Sequence, residues 1–220
     1  MQTKGIKIPN YSLGEEIFNF VSHVVGAAFG IIILFVNIYL AVINKLNVKE
    51  MVALIIYGIS IITLFTISAI YHGLSKRCVG KKIFRILDHS TIFFLIFGTY
   101  FPICTIALSN SEYEIWILTI ETSIFIIGII INSLFFKYKP ARIISIILYA
   151  ISGWAIILFP NAILLLTKEQ FLLILIGGIT YTIGILFYCL GKHIKWSHSI
   201  FHIIVVMACI IQYIGIFLMI

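Results

Sequence analysis

Apolar residues run along this chain in long blocks, separated by short polar segments. A helix that crosses the hydrocarbon of a bilayer needs roughly 20 mostly apolar residues. Seven blocks reach about that length: 17–43, 51–74, 86–108, 115–136, 142–160, 171–190 and 197–220. The connections are short, no soluble domain is inserted, and neither an internal repeat nor a low-complexity segment is evident. The pattern predicts an all-α fold, a single bundle of seven transmembrane helices over 17–220 behind a short tail, 1–16.

Composition agrees. Of 220 residues, 62% are hydrophobic and only 10% charged, against roughly 45–50% and about 25% in soluble domains. No soluble core hides so much apolar surface, so lipid must serve as solvent. The first fifteen residues are polar and the apolar run behind them is too long for a signal-peptide core, so no secretory leader is expected. Cys78, Cys104, Cys189 and Cys209 are far apart and form no close pair. They are expected as small apolar fillers, without a disulfide framework or a thiolate metal site.

The net charge of +7 matters through its placement. The N-terminal tail and the even-numbered loops hold twelve of the lysines and arginines, and the odd-numbered loops three. Basic loops stay in the cytoplasm, so the N-terminus is expected inside and the C-terminus outside, in the plasma membrane. This accounts for the basic balance without a nucleic-acid partner. The orientation is opposite to that of G-protein-coupled receptors. Span 7 contains no lysine for a retinal Schiff base.

With direction fixed, unusual polar residues fall at one depth. Span 1 opens with Glu16, Asn19 and His23 on one stripe; span 2 closes with Ser68 and His72; span 3 opens with Asp88 and His89; span 7 opens with His198 and His202. Ionisable groups inside a membrane are costly and usually mark functional sites. His198 and His202, at i and i+4, share a helix face, imidazole suits zinc, and His72 ends at the same depth. The joint placement favours a metal held by three histidines with one open position. Each piece also has a plainer reading: hydrogen-bonded interfacial histidines, Asp88 as an N-cap, Ser68 bonded back to its own helix. His89 is expected around the site or facing a loop, His193 in solvated loop, and Glu121, in the outer half, either beside a water-filled cavity or as a buried structural carboxyl.

The ordered set Glu16-x-x-Asn19 with His23, Ser68-x-x-x-His72, Asp88 opening DHSTIFFLIFGTYFPIC, and His198-x-x-x-His202 resembles the hemolysin III family, which groups with the progestin and adipoQ receptors. The resemblance spans essentially the whole chain. It implies a zinc ion (Zn2+) bound by His72, His198 and His202, with Asp88 approaching through water and Ser68 beside it. Glu16, Asn19 and His23 are expected around these ligands. Alkaline ceramidases share the Ser, Asp and three-His pattern. The implied activity is zinc-dependent hydrolysis of a lipid-like amide or ester, with membrane lipids as partners and source of substrate. Asp88 would act as general acid–base and Ser68 as a hydrogen-bond donor. The rival readings are a membrane sensor with structural zinc and, lower, a cytolytic pore-former. A transporter would draw on helix irregularities at Pro102 or Gly177–Gly178.

Overall fold

Helix starts are written in the local sequence. Ser12 and Glu15, Asn47 and Glu50, and Thr167 and Gln170 each form a reciprocal capping box that satisfies orphan N–H groups. These begin α1 (Leu13–Ile43), α2 (Val48–Gly73) and α7 (Lys168–Leu190). The computed structural model describes residues 5–191 and 193–220; Lys4 and Lys192, two of the charges counted toward orientation, lie outside them. The other helices are α3 (Gly80–Pro102), α4 (Glu112–Phe135), α5 (Lys139–Gly153), the single turn α6 (Pro160–Ile163) and α8 (Ser197–Phe217). No strand occurs among the described residues.

Six of these helices are long and apolar enough to cross a membrane. The block 142–160, expected as one span, is divided. α5 ends at Gly153, a 3-10 turn covers Ala155–Leu158, and Pro160 opens α6. Tyr100 repairs the break: its hydroxyl donates to Gly153 O (3.1 Å) and accepts from Ile156 N–H (3.2 Å). Pro102 also disturbs its helix. With no N–H to give, it ends the α-helical part of α3, and a π-helical stretch continues over Ile103–Ala107. Gly177 and Gly178 leave α7 regular.

Successive helices lie side by side, α1 on α2, α2 on α3, α3 on α4, α4 on α5 and α7 on α8, and α8 returns to α1. α2 and α3 are the most enclosed, while α4 and α7 show most of their surface outward. Ile126, Ile130 and Leu134 on α4, and Leu172, Ile176, Ile179 and Ile183 on α7, are exposed at helical spacing, forming the apolar stripe that faces lipid. Polar side chains turn inward. Asn132, Ser145 and Tyr149 join α4 to α5, and Tyr149 Oη donates to His89 O at 2.6 Å. Close approach is specified by small residues: a Cβ on Gly128 would meet the Phe93 ring at 2.3–2.4 Å. All four cysteines are free; Cys104 and Cys209 are buried fillers, whereas Cys78 and Cys189 are exposed.

Candidate metal centre

Two helices bring the three histidines together. His72 lies in the last turn of α2, and His198 and His202 lie in the first two turns of α8. The start of α8 is fixed from outside. Trp196 precedes it with a left-handed backbone (φ 67°), a conformation that costs a non-glycine residue of order 1–3 kcal/mol. Its N–H donates to Glu15 Oε1 at 2.8 Å, and its indole packs edge-on to Phe18. Ser197 Oγ donates to Phe187 O (2.8 Å). The first turn of α8 is therefore tied to both α1 and α7, which sets His198.

One nitrogen from each of His72, His198 and His202 lies within 4.8 Å of the others, and all three residues are buried. His198 Nε2 and His202 Nε2 are 3.2 Å apart. His72 Nδ1 meets Glu16 Oε2 at 2.6 Å, with Asn19 Nδ2 alongside at 3.5 Å. The second Glu16 oxygen accepts from Lys81 Nζ at 2.8 Å. With the Nδ1–H donating a hydrogen bond to that carboxylate, the Nε2 lone pair of His72 is free. That atom is buried without a hydrogen-bond partner, as are His202 Nδ1 and both ring nitrogens of His23. His23 packs against His202, ring centroids 3.8 Å apart.

A metal fits this set. Two imidazole nitrogens bound tetrahedrally at ~2.0–2.1 Å stand roughly 3.3 Å apart, close to the 3.2 Å between His198 and His202. A histidine ligand that gives its other N–H to a carboxylate is the usual outer arrangement of such sites, and Glu16 supplies it to His72. The unpartnered Nε2 is then an acceptor that a cation satisfies.

The predicted neighbours divide. Ser68 and Asp88 line one cavity with His23, His198 and His202. Asp88 is not an N-cap, because α3 begins at Gly80, two turns earlier. The apolar block understated the helix, since Lys81, Lys82 and Arg85 occupy its first turns. His89 faces no loop: it is buried, packed edge-on against Phe136 and Tyr188, and it lines the same cavity. His193 is exposed, as expected. Glu121, 1% exposed, accepts a short hydrogen bond from Ser152 Oγ and lines no part of the cavity.

Two residues escaped the sequence reading. Lys81 counted only as a loop charge, yet it is 1% exposed and also donates to Leu74 O at 2.8 Å. Its seven-residue spacing from Asp88, which puts both on one helix face, was the available signal. Tyr11 stacks flat on His198 (centroids 4.7 Å, planes 8° apart), and burial raises its hydroxyl pKa above the usual tyrosine value.

From its polar end the cavity runs along α3 from Asp88 to Ile103, about 22 Å at the rise of an α-helix. Leu64, Ile92, Leu95, Ile96, Ile185 and Val205 are among its apolar walls, and Trp154 and Gln212 also line it.

Comparison with known proteins agrees with the motifs. The family model described as Haemolysin-III related matches residues 11–213. Hemolysin-3 of Bacillus cereus is 35% identical over 196 residues, covering 87% of this chain and 85% of that protein. The Hemolysin-3 homolog of Bacillus subtilis (strain 168) is 30% identical over 194 residues, covering 87% and 88%. The monocyte to macrophage differentiation factor of Homo sapiens is 22% identical over 167 residues, covering 72% and 66%. A match over nearly the whole chain, with the polar motifs gathered at one end of a membrane bundle, gives the conclusion: this chain belongs to the haemolysin-III related family.

Proposed function

We propose that the protein is a zinc-dependent intramembrane hydrolase acting on an amide or ester of a lipid-like molecule. In this reading the chain crosses the plasma membrane seven times, with the N-terminus cytoplasmic. The divided segment Lys139–Ile163 makes the fifth crossing. The hydrogen bond from Asn44, at the far end of α1, to Ile220 O supports an odd number of crossings. The charge bias across the loops supports the direction.

One observation carries the chemical reading: nitrogens of His72, His198 and His202 converge, and His198 and His202 line a long apolar cavity together with Asp88 and Ser68. Such a space suits a molecule with one polar, cleavable group and an apolar tail. Zinc held by His72, His198 and His202 supplies Lewis-acid polarisation of a carbonyl and acidification of a water. The chain's own residues do the rest. Glu16, anchored by Lys81, holds the His72 ring with its Nε2 toward the site. Asp88 takes a proton from the attacking water and returns it to the departing nitrogen or oxygen as the C–N or C–O bond breaks. The Ser68 hydroxyl donates to the oxygen that gains negative charge. The isoleucine and leucine walls exclude bulk water and seat the tail.

Turnover of lipid amides and esters by purified, zinc-loaded protein tests this. Asp88→Asn is expected to abolish turnover with zinc retained. Absence of turnover across a broad lipid panel, with zinc fully bound, overturns catalysis.

A second reading makes the zinc structural in a membrane sensor. It is favoured by the Glu16–Lys81 and Glu15–Trp196 contacts, which already join α1, α3 and α8 around the histidines. It predicts a large fall in melting temperature on chelation and full function in Asp88→Asn. Haemolysis is a property named for the relatives; dye release from liposomes containing purified protein tests its extension to this chain.

A further inference from the structure

The N-terminal segment before α1 has no regular structure from Ile6 to Ser12, yet side chains fasten it across one end of the bundle. Ile6 is 5% exposed and clusters with Ile86 of α3 and Phe136 behind α4. The Arg85 guanidinium donates to Lys7 O. Lys76 Nζ donates to Asn10 Oδ1 at 2.6 Å and to Tyr11 O at 2.9 Å. These anchors deliver the Tyr11 ring onto His198, parallel at 4.7 Å, and to 5.9 Å from the His72 ring. The aromatic ring thus covers two of the three histidines and is not among the residues that line the apolar cavity.

We infer that residues 6–12 are a strap closing the N-terminal mouth of the histidine site, with Tyr11 as its plug, and that the metal enters and leaves when this strap lifts. The inference rests on the reading that the three histidines hold a metal. Ser12, whose carbonyl accepts from Glu16 N–H as the N-cap of α1, is the hinge; the residues before it are held by side chains and can lift without unwinding a helix. The Lys76 bonds are solvent-exposed and therefore weak, so the buried Ile6 is the main anchor. Because Ile6 belongs to a separate cluster with Ile86 and Phe136, its replacement frees the strap without altering a ligand. A gate changes entry and exit together and leaves the equilibrium affinity alone.

The test uses full-length, zinc-loaded protein in detergent, mixed with excess chromophoric chelator, with Kd measured separately by competition. Ile6→Ser and Tyr11→Ala are expected to release zinc about 10–100-fold faster than wild type, the range set by losing one buried apolar anchor. Ile6→Ser is expected to keep the wild-type Kd, and Tyr11→Phe, which retains the ring, to keep the wild-type rate. Release at the wild-type rate in both Ile6→Ser and Tyr11→Ala overturns the gate. So does faster release of Ile6→Ser matched by an equally weakened Kd, which places the effect on the ligands. Wild-type protein that takes up no zinc overturns the metal reading, and the gate with it.

Discussion

Replacing Glu16 by glutamine separates what this residue does for the metal from what it does for the fold. Its two oxygens serve two partners, His72 Nδ1 at 2.6 Å and Lys81 Nζ at 2.8 Å. Glutamine offers one acceptor oxygen and one N–H donor group, so it cannot accept from both. If the oxygen stays with Lys81, an N–H faces His72 Nδ1 and favours the tautomer protonated at Nε2, the nitrogen needed for a ligand. Losing an orienting partner of this kind weakens metal binding about 10–100-fold, or about 1.4–2.7 kcal/mol. The fold suffers independently, because the Lys81 side chain is 1% exposed and loses its counter-charge. Breaking a buried pair costs about 3–5 kcal/mol; the Leu74 carbonyl and the Tyr71 ring remain as partners, which favours the lower end. The double variant Glu16→Gln/Lys81→Met removes the stranded charge. It is expected to recover most of the stability and none of the zinc affinity. Melting of the metal-free proteins and competition titration with a zinc indicator read the two quantities separately. Wild-type zinc affinity in Glu16→Gln would refute the orienting role. Equal stability of Glu16→Gln and wild type would refute the stranded-charge argument.

Three further predictions concern the frame around the site. Tyr100→Phe strands the Gly153 carbonyl and the buried Ile156 N–H at the break after α5, and is expected to cost about 1–3 kcal/mol in detergent unfolding; an unchanged melt would mean that water fills that role. Gly128→Ala drives a methyl into the Phe93 ring, at 2.3–2.4 Å before relaxation, and is expected to destabilise by about 1–3 kcal/mol; a neutral result would show that α3 and α4 separate freely. Glu121→Gln keeps an acceptor for the Ser152 hydroxyl and is expected to change stability by less than about 1 kcal/mol; a larger loss would reveal a charged role for that carboxyl.

The helices and the depth of the histidines were legible because membrane insertion writes both into composition: apolar blocks mark the spans, and an intramembrane histidine stands out against leucine and isoleucine. Six blocks became long helices for that reason. The block 142–160 met the composition rule, but composition does not register where the backbone turns, and Gly153 and Pro160 divide it. The start of α3 was missed for the converse reason. Lys81 and Arg85 make its first turns polar, although helix geometry, not hydropathy, carries them from Gly80 to Asp88. Convergence of His72 with His198 and His202 followed from shared depth. The support for that cluster did not: spacing from Asp88 gives the helix face of Lys81, but its contact with Glu16, like those of Glu15 with Trp196 and Tyr11 with His198, joins segments distant in sequence and is not encoded in local spacing.

The central claim is that the three histidines are ligands. The most direct test is the metal content of detergent-purified protein by mass spectrometry, wild type beside His202→Ala. The account predicts about one zinc per chain, as a single three-histidine site would hold, and its loss in the variant. Wild-type protein that carries no zinc after purification without chelator and exposure to the metal would contradict it, leaving the histidines as buried polar contacts and removing the basis for hydrolysis.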